Sequence, residues 1–285
     1  MHIITSPQEF QSFCWSWRAQ GARSALVPTM GYLHQGHISL FEWARSNADK
    51  VAASVFVNPS QFGPGEDLGR YPRDPEGDAA KAEAAGVDVL FMPEPQAMYP
   101  GDFSTKVSVS GITEGLCGRS RPGHFDGVAT VVAKLLILSM PGVAVFGQKD
   151  WQQLAMIRRM AADLSLPVEI EGRPIFREPD GLAMSSRNVN LSAVERAQAP
   201  EIHKGLLLAK EMIASGERSP RKVVSAVEDH FRKAMPLAQT DYVELVHPET
   251  IRPVGDAAGP GLMAVAVRFP GARLIDNMLV GAGQS

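Results

Sequence analysis

Ten consecutive residues hold the densest potential chemistry in this chain: Pro28-Thr29-Met30-Gly31-Tyr32-Leu33-His34-Gln35-Gly36-His37. They follow the apolar stretch Ser24-Ala25-Leu26-Val27 and lead into Ile38-Ser39-Leu40-Phe41-Glu42-Trp43-Ala44, which is apolar at helical spacing. That order predicts a strand, a glycine-bearing loop and a helix. His34 and His37, three residues apart, fall where the helix begins. Unpaired backbone N–H groups and the positive end of the helix dipole there favour a phosphate. Gly36 leaves room for a ligand to lie against the backbone, and the two imidazoles share roughly one face, so both can reach one polyphosphate. The pattern reads as a nucleotide-phosphate site without a Walker lysine, since no G-x-x-x-x-G-K-[ST] occurs in the chain.

Three more groups of unusual polar residues follow apolar runs or join them. Asn58-Pro59-Ser60-Gln61-Phe62-Gly63 comes directly after Val51–Val57, and Gly147-Gln148-Lys149-Asp150 directly after Val143–Phe146. Met184-Ser185-Ser186-Arg187 lies in a polar loop further on. Each alone has an ordinary structural reading: a turn, a solvated ion pair, a helix-capping loop. Ligands of doubly wound sheets bind beyond the carboxyl ends of the strands, so their joint placement predicts one shared cleft. The chemistry that suits them is adenylyl transfer. Lys149, Arg187 and the hydroxyls of Ser185 and Ser186 can spread charge over a triphosphate and its leaving pyrophosphate. Gln61 and Gln153 are neutral amides that can hold a carboxylate without pairing off the charge it needs to attack phosphorus. No serine or cysteine has an evident base partner, so no covalent enzyme intermediate is expected.

The elements that must position these groups alternate over the first ~175 residues. Strands are predicted at Ser24–Val27, Val51–Val57, Val87–Met92 and Val143–Phe146, with a last strand or strand pair at Val168–Ile170 and Ile175–Phe176. Helices are predicted at Asp74–Ala85, Phe125–Met140 and Trp151–Leu164. Near-continuous apolar strands separated by helices imply a parallel sheet covered on both faces, a Rossmann-like doubly wound α/β domain over residues 1–176. After a polar loop, Arg177–Asn188, one long helix is expected over Ser192–Ser215, with Ser192 and Glu195 as a capping box. A helix over Pro220–Ala234 and strands at Tyr242–Val246, Leu262–Phe269 and Leu274–Val280 follow. Helices followed by antiparallel strands predict a smaller α+β domain over 177–285.

Composition narrows the function classes. The 285 residues are 45% hydrophobic and 21% charged, with a formal net charge of −3, which fits a globular chain. No Lys/Arg-dense block argues for nucleic acid. The start, Met1–Pro7, has neither the basic region nor the apolar core of a signal peptide. The longest apolar stretch, Gly127–Leu138, is too short to span a bilayer and reads as a buried helix. Cys14 and Cys117 lie far apart and form no C-x-x-C pair, so no disulfide framework or zinc knuckle is indicated, which fits a reducing cytoplasm.

On five co-linear stretches the chain closely resembles the pantoate–β-alanine ligase (pantothenate synthetase) family. They are PTMGYLHQGH (28–37), FVNPSQFGPGEDLGRYPR (56–73), RPGHFDGVATVVAKL (121–135), FGQKDWQQL (146–154) and REPDGLAMSSRNVNL (177–191). The wider HxGH nucleotidyltransferase superfamily shares only the first of these in part and a serine-rich loop. The resemblance implies that ATP and (R)-pantoate form a pantoyl adenylate and pyrophosphate, and that the β-alanine amine then displaces AMP to give pantothenate, with Mg²⁺ accompanying ATP. It implies an ATP site at Met30, Gly31, Tyr32, Leu33, His34, Gln35, Gly36 and His37, with His37 as proton donor. Gly147, Gln148, Lys149, Asp150, Phe176, Met184, Ser185, Ser186 and Arg187 would also meet ATP, Asp150 at the ribose and the Phe176 backbone at adenine. Gln61 and Gln153 would hold pantoate, Gln61 also β-alanine, with Asn58 and Arg121 as further substrate-side candidates. A homodimer through the first domain, and a lid role for the second, are implied as well.

Two departures stand out. Gln148 replaces the glutamate usual before the lysine, which costs little if the position shapes the loop and frees Lys149 if it anchors that lysine. The aspartate run linked to metal in the family is here Asp74-Pro75-Glu76-Gly77-Asp78, so no metal-ligating residues are expected. Two rival readings are another nucleotidyltransferase with a different acceptor and a non-catalytic nucleotide-binding module. Gln61 and Gln153 argue against the first, because phosphate-bearing acceptors ask for more Arg and Lys. His34, His37, Lys149, Ser185, Ser186 and Arg187 argue against the second.

Overall fold

The structure is a computed structural model and describes residues 1–282; the last three residues of the expected 177–285 domain lie outside the described residues. In chain order the elements are β1 (His2–Ile4), α1 (Pro7–Ala19), β2 (Ser24–Thr29), α2 (Gln35–Asn47), β3 (Lys50–Val55), α3 (Pro75–Ala84), β4 (Val89–Phe91), α4 (Pro95–Met98), α5 (Leu116–Ser120) and α6 (His124–Ser139). They continue with β5 (Val143–Gly147), α7 (Trp151–Asp163), β6 (Glu169–Arg173), α8 (Ala193–Gln198), α9 (Glu201–Ala214), α10 (Pro220–Ala234), β7 (Gln239–Val246), β8 (Gly261–Arg268) and β9 (Arg273–Val280). Short 3₁₀ turns cover Pro59–Gln61, Gln148–Asp150 and Ser186–Asn190.

Two compact units emerge. The first comprises Met1–Val109, Arg121–Gln148 and Met156–Pro174. Its six strands are all parallel, in the order β1-β4-β3-β2-β5-β6, as the apolar runs predict. Alternation along the strands divides the side chains between the two faces. Ala25, Val27, Val51, Ala53, Val143 and Val145 pack with Phe41 and Ala44 of α2 and Ala82 of α3. Leu26, Ala52 and Ala144, between them in register, are equally buried toward the face where α1 and α6 pack. The strand order reverses between β2 and β5, so the carboxyl ends of β3, β2 and β5 lie side by side there. That is where a doubly wound sheet holds its ligand.

The second unit comprises Ser110–Ser120, Lys149–Ala155 and the described residues from Ile175 onward. A three-stranded antiparallel sheet, β7-β8-β9, packs its Met263, Val265 and Val267 against Ile202 and Leu206 of α9 and Phe231 of α10. A Cβ on Gly205 would lie 2.4 Å from the Phe231 ring, so glycine there lets α9 and α10 approach. Two segments from earlier in the chain belong to this unit, beyond the expected 177–285. The Gln152 side chain accepts from Cys117 N (3.0 Å) and donates to the carbonyls of Ile112 and Gly115. The Trp151 indole N–H donates to Pro248 O at 2.8 Å.

Helix starts follow capping chemistry. Ser6, Asp74 and Ser219 accept from backbone N–H groups of the first turn, each with proline next in sequence, the pairing that favours initiation. Ser192 and Glu195 form the expected capping box. The helix they open is not the single Ser192–Ser215 helix expected from its apolar spacing. Pro200 has no N–H to give and breaks the ladder, leaving α8 and α9. Ile175–Phe176 is not strand; β6 ends at Arg173, just before Pro174. β1 and α1 are additions to the elements expected from the sequence, although Ser6-Pro7-Gln8-Glu9 carries a helix-start signature.

Candidate active site

The loop between β2 and α2 is built by backbone pairing. Thr29 Oγ1 donates to Ser54 O of β3 (2.7 Å) and accepts from Gly31 N (3.2 Å). Gly31 and Tyr32 both take left-handed backbone angles, φ 82° and 51°. For tyrosine that conformation costs roughly 1–2 kcal/mol. Asp78 of α3 offsets the cost: its carboxylate accepts from Tyr32 N (2.8 Å) and Leu33 N (2.6 Å) and is 1% exposed. A Cβ on residue 31 would lie 2.8 Å from Asp78 Oδ2, so the close approach also requires Gly31.

His34 and His37 form a capping box made of imidazoles. His34 Nδ1 accepts from Gly36 N (3.2 Å), and His37 Nδ1 accepts from His34 N (3.3 Å). A nitrogen that accepts from a backbone N–H carries no proton, so this network assigns both rings the tautomer with the proton on Nε2. The ring centroids are 4.0 Å apart. Both rings therefore carry their proton on Nε2 at a helix N-terminus.

Beside this loop, Gln61 ends the 3₁₀ turn after β3. It is 7% exposed, with Nε2 donating to the Met30 thioether at 3.0 Å. Asn58 Nδ2 donates to Gln61 Oε1 (3.0 Å) and Gly127 O (3.1 Å), while its Oδ1 accepts from Tyr99, from Ser60 Oγ and from Ser60 N. Arg121 grips Glu66 through Nε (2.8 Å) and Nη2 (2.6 Å), and also donates to Gln61 O. Burial pushes the Glu66 carboxyl up, but the bonds and charge of Arg121 outweigh it and hold the group below its ordinary value. Asn58 and Arg121, expected at the substrate, thus hold the backbone and side chain of Gln61.

The remaining candidates lie elsewhere in the chain. Gly147 ends β5, and Gln148 Nε2 donates to Gly172 O of β6 at 3.0 Å. In the second unit Lys149 pairs with Asp150 at 3.4 Å, and Lys149 O accepts from Asn277 at 2.9 Å. Gln153 sits half-buried on the first turn of α7. The Arg177–Asn188 loop is fastened at several points. Arg177 forks onto Asp276 of β9 (2.6 and 3.0 Å), Met184 N donates to Phe176 O, and Asn188 donates to Glu178 and to Ala183 O. Ser185 Oγ accepts from Arg187 N and caps the following 3₁₀ turn; Ser186 is buried and Phe176 is 38% exposed. Met30, His34, His37, Gln61, Asn58 and Arg121 are thus gathered in the first unit. Lys149, Asp150, Gln153, Phe176 and Met184–Arg187 belong to the second.

Comparison with known proteins decides the family. The family model for pantoate-beta-alanine ligase matches residues 2–279. The chain belongs to the pantoate-beta-alanine ligase family. It is 56% identical over 278 residues to the pantothenate synthetase of Oleidesulfovibrio alaskensis, covering 98% of this chain and 99% of that protein. It is 57% identical over 280 residues to that of Nitratidesulfovibrio vulgaris, with the same coverage. The crystal structure of pantothenate synthetase from Thermus thermophilus superposes with a TM-score of 0.93 at 48% identity, covering 99% of this chain and 100% of that one. Pantoate-beta-alanine ligase from Francisella tularensis, solved with beta-gamma ATP and beta-alanine, gives 0.81 at 32% identity over 98% of this chain and 97% of that one.

Three side chains that hold the candidate site in this family member carry no signal in the sequence: Asp78, Tyr99 and Glu66. Nothing local separates Asp78 from its exposed neighbour Glu76. Its partners are about 45 residues away in the chain, so only the folded sheet brings them together. Both Asp78 oxygens face backbone N–H groups, and among the described residues no three His, Cys, Asp or Glu side chains gather as a metal cage. Asp78 is thus committed to the loop backbone. No described helix is long and apolar enough to cross a membrane.

Proposed function

We propose that this chain joins (R)-pantoate to β-alanine at the expense of ATP, by way of a pantoyl adenylate. The observation that carries the reading is the imidazole capping box: two Nε2–H donors fixed at a helix N-terminus, with the Gln61 amide tied to the same loop through Met30. The helix end and both imidazoles favour the triphosphate, and a neutral amide leaves the pantoate carboxylate nucleophilic. One pantoate oxygen attacks the α-phosphorus and the bond to the β-phosphate oxygen breaks, releasing pyrophosphate. The amine of β-alanine then attacks the acyl carbon, loses a proton and expels AMP. His34 and His37 donate to phosphate oxygens, with His37 as the proton donor. Lys149, Ser185, Ser186 and Arg187 stabilise charge on the phosphates. Met30–His37, Gly147, Gln148, Asp150, Phe176 and Met184 complete the ATP contacts, Asp150 at the ribose. Gln61 and Gln153 hold pantoate. Asn58 and Arg121 act from behind by fixing Gln61.

Mg²⁺ enters this reading as a companion of the ATP phosphates, held by phosphate oxygens and water. A homodimer in the cytoplasm is the setting the family resemblance favours. The test is product analysis by mass spectrometry with ATP, Mg²⁺ and (R)-pantoate, with and without β-alanine. The expected result is pantothenate and AMP only in the complete mixture, and enzyme-bound pantoyl adenylate when β-alanine is left out. ADP in place of AMP refutes the adenylate route.

A further inference from the structure

A glutamine amide has a donor end and an acceptor end of nearly the same shape, so what it selects depends on which end faces the ligand. The orientation of Gln61 is determined by its neighbours. Gly127 O can only accept, and Ser60 N can only donate. Asn58 lies between them, 1% exposed, with Nδ2 toward Gly127 O (3.1 Å) and Oδ1 toward Ser60 N (3.3 Å). Two backbone groups therefore fix the Asn58 amide one way round. Its second Nδ2 hydrogen goes to Gln61 Oε1 at 3.0 Å. That leaves the Gln61 NH₂ end toward Met30, whose thioether is a weak acceptor.

One more group holds the Asn58 oxygen from the side. The Tyr99 hydroxyl donates to Asn58 Oδ1 at 2.9 Å. The Tyr99 ring is held by Phe103 (centroids 5.0 Å apart), by Phe56 (6.2 Å) and by the Lys134 ammonium, 5.6 Å from its centroid. Its hydroxyl is thereby aimed rather than mobile. The same packing leaves no room for a side chain opposite: a Cβ on Gly127 would lie 2.3 Å from Ser60 O.

We propose that Tyr99 is a positioning residue which, through Asn58, keeps the NH₂ end of Gln61 toward the substrate, so that this subsite takes an acceptor oxygen, of a carboxylate or hydroxyl, and rejects an ammonium. The proposal rests on the reading that Gln61 meets pantoate. Without the tyrosine hydroxyl, only the two Ser60 contacts hold the Asn58 oxygen; the backbone groups still set which way round Asn58 lies, but its amide is held less firmly and the carbonyl end of Gln61 is anchored less well.

The experiment is a double-mutant cycle of Tyr99→Phe and Gln61→Ala, read as KM for pantoate and for ATP, with the Gln61 side-chain ¹⁵NH₂ signal followed by NMR. Tyr99→Phe removes one oxygen and keeps the ring. It is expected to raise pantoate KM by about 5- to 10-fold, the scale of one neutral hydrogen bond, to leave ATP KM unchanged and to shift the Gln61 signal. In the Gln61→Ala background Tyr99→Phe is expected to add nothing, since coupled residues are not additive. A Tyr99→Phe effect of the same size without the Gln61 amide overturns the proposal. So does an unchanged pantoate KM in Tyr99→Phe when Gln61→Ala raises it. If Gln61→Ala itself leaves pantoate KM unchanged, the assignment of Gln61 to pantoate fails, and this proposal falls with it.

Discussion

Replacing Asp78 by asparagine tests how the loop between β2 and α2 keeps its shape. The wild-type carboxylate accepts from two consecutive backbone N–H groups, Tyr32 at 2.8 Å and Leu33 at 2.6 Å, in a site where the side chain is 1% exposed. Hydrogen bonds to a charged acceptor contribute about 1.5–3 kcal/mol each, and a buried donor left unpaired costs about 1–3 kcal/mol. Asparagine is nearly isosteric. It keeps one acceptor and turns an NH₂ group toward the other N–H, so one bond is lost and one backbone donor is stranded. Relief of the buried charge returns part of that cost. The local loss is then about 2–4 kcal/mol, enough to release the left-handed Tyr32 (φ 51°).

The assay is amide hydrogen exchange of Tyr32 and Leu33, which reads local opening without requiring two units to unfold as one. At 1.36 kcal/mol per factor of ten, exchange at these amides should quicken by about 30- to 1,000-fold. The amide of Leu26, within β2 and away from the loop, should keep its wild-type protection. Because the loop carries the imidazoles, ATP KM should rise in the same variant. Wild-type exchange at Tyr32 and Leu33 together with an unchanged ATP KM refutes the clamp.

Three other perturbations separate roles that the geometry superimposes. His34→Asn keeps a strong N-cap and removes the imidazole, so melting should change little while adenylation, followed by pyrophosphate release, falls about 100-fold or more, the scale of one lost stabilising donor; retained turnover makes His34 a cap only. Glu66 has its pKa lowered in the fold from the ordinary value of 4.5, so its contribution to stability is present above 4.5 and is lost as pH falls through the lowered value. Glu66→Gln should therefore be less stable than wild type near neutrality, with the gap closing in acid, as followed by denaturant midpoints across that range; a gap independent of pH contradicts the pairing. Gly127→Ala should push the Ser60–Gln61 backbone away, lowering stability by about 1–3 kcal/mol, as overpacking does, and raising pantoate KM more than ATP KM; a neutral variant means that α6 and the 3₁₀ turn have slack.

Much of the fold is legible in the sequence because its rules are local. Apolar runs of four to seven residues mark the central strands, and Ser192-x-x-Glu195 marks a helix start. The departures have equally local causes. Apolar spacing runs on across Pro200, which cannot sustain a helix ladder, and the start signature Ser6-Pro7-Gln8-Glu9 opens a helix whose buried Phe10, Cys14 and Trp17 stand at helical spacing. The residues that carry the proposed chemistry are legible for a different reason. His34, His37, Gln61 and Lys149 follow strands closely, and a loop that binds through consecutive backbone N–H groups must be continuous in sequence. The side chains that hold those residues in place are not legible. Asp78 reaches a loop 45 and 46 positions away, and Tyr99 an asparagine 41 positions away. No spacing rule within one element encodes such pairs.

Gln148 shows why a departure from family usage has to be judged by geometry rather than by charge alone. Losing a carboxylate beside Lys149 looks in the sequence like the loss of an anchor. In the fold the Gln148 amide donates to Gly172 O, the carbonyl of a β6 residue paired with Phe146 of β5. A carboxylate has no hydrogen to donate to that carbonyl at neutral pH. Lys149 meanwhile has the Asp150 carboxylate next to it, and its own carbonyl is held by Asn277. The amide therefore strengthens the tie between the turn after β5 and the neighbouring strand β6, one strand away from the point where the sheet order reverses. Of the two readings left open by the sequence, a loop-shaping residue and a lysine anchor, the donor geometry favours the first, because the hydrogen bond made here is one that only the amide can make.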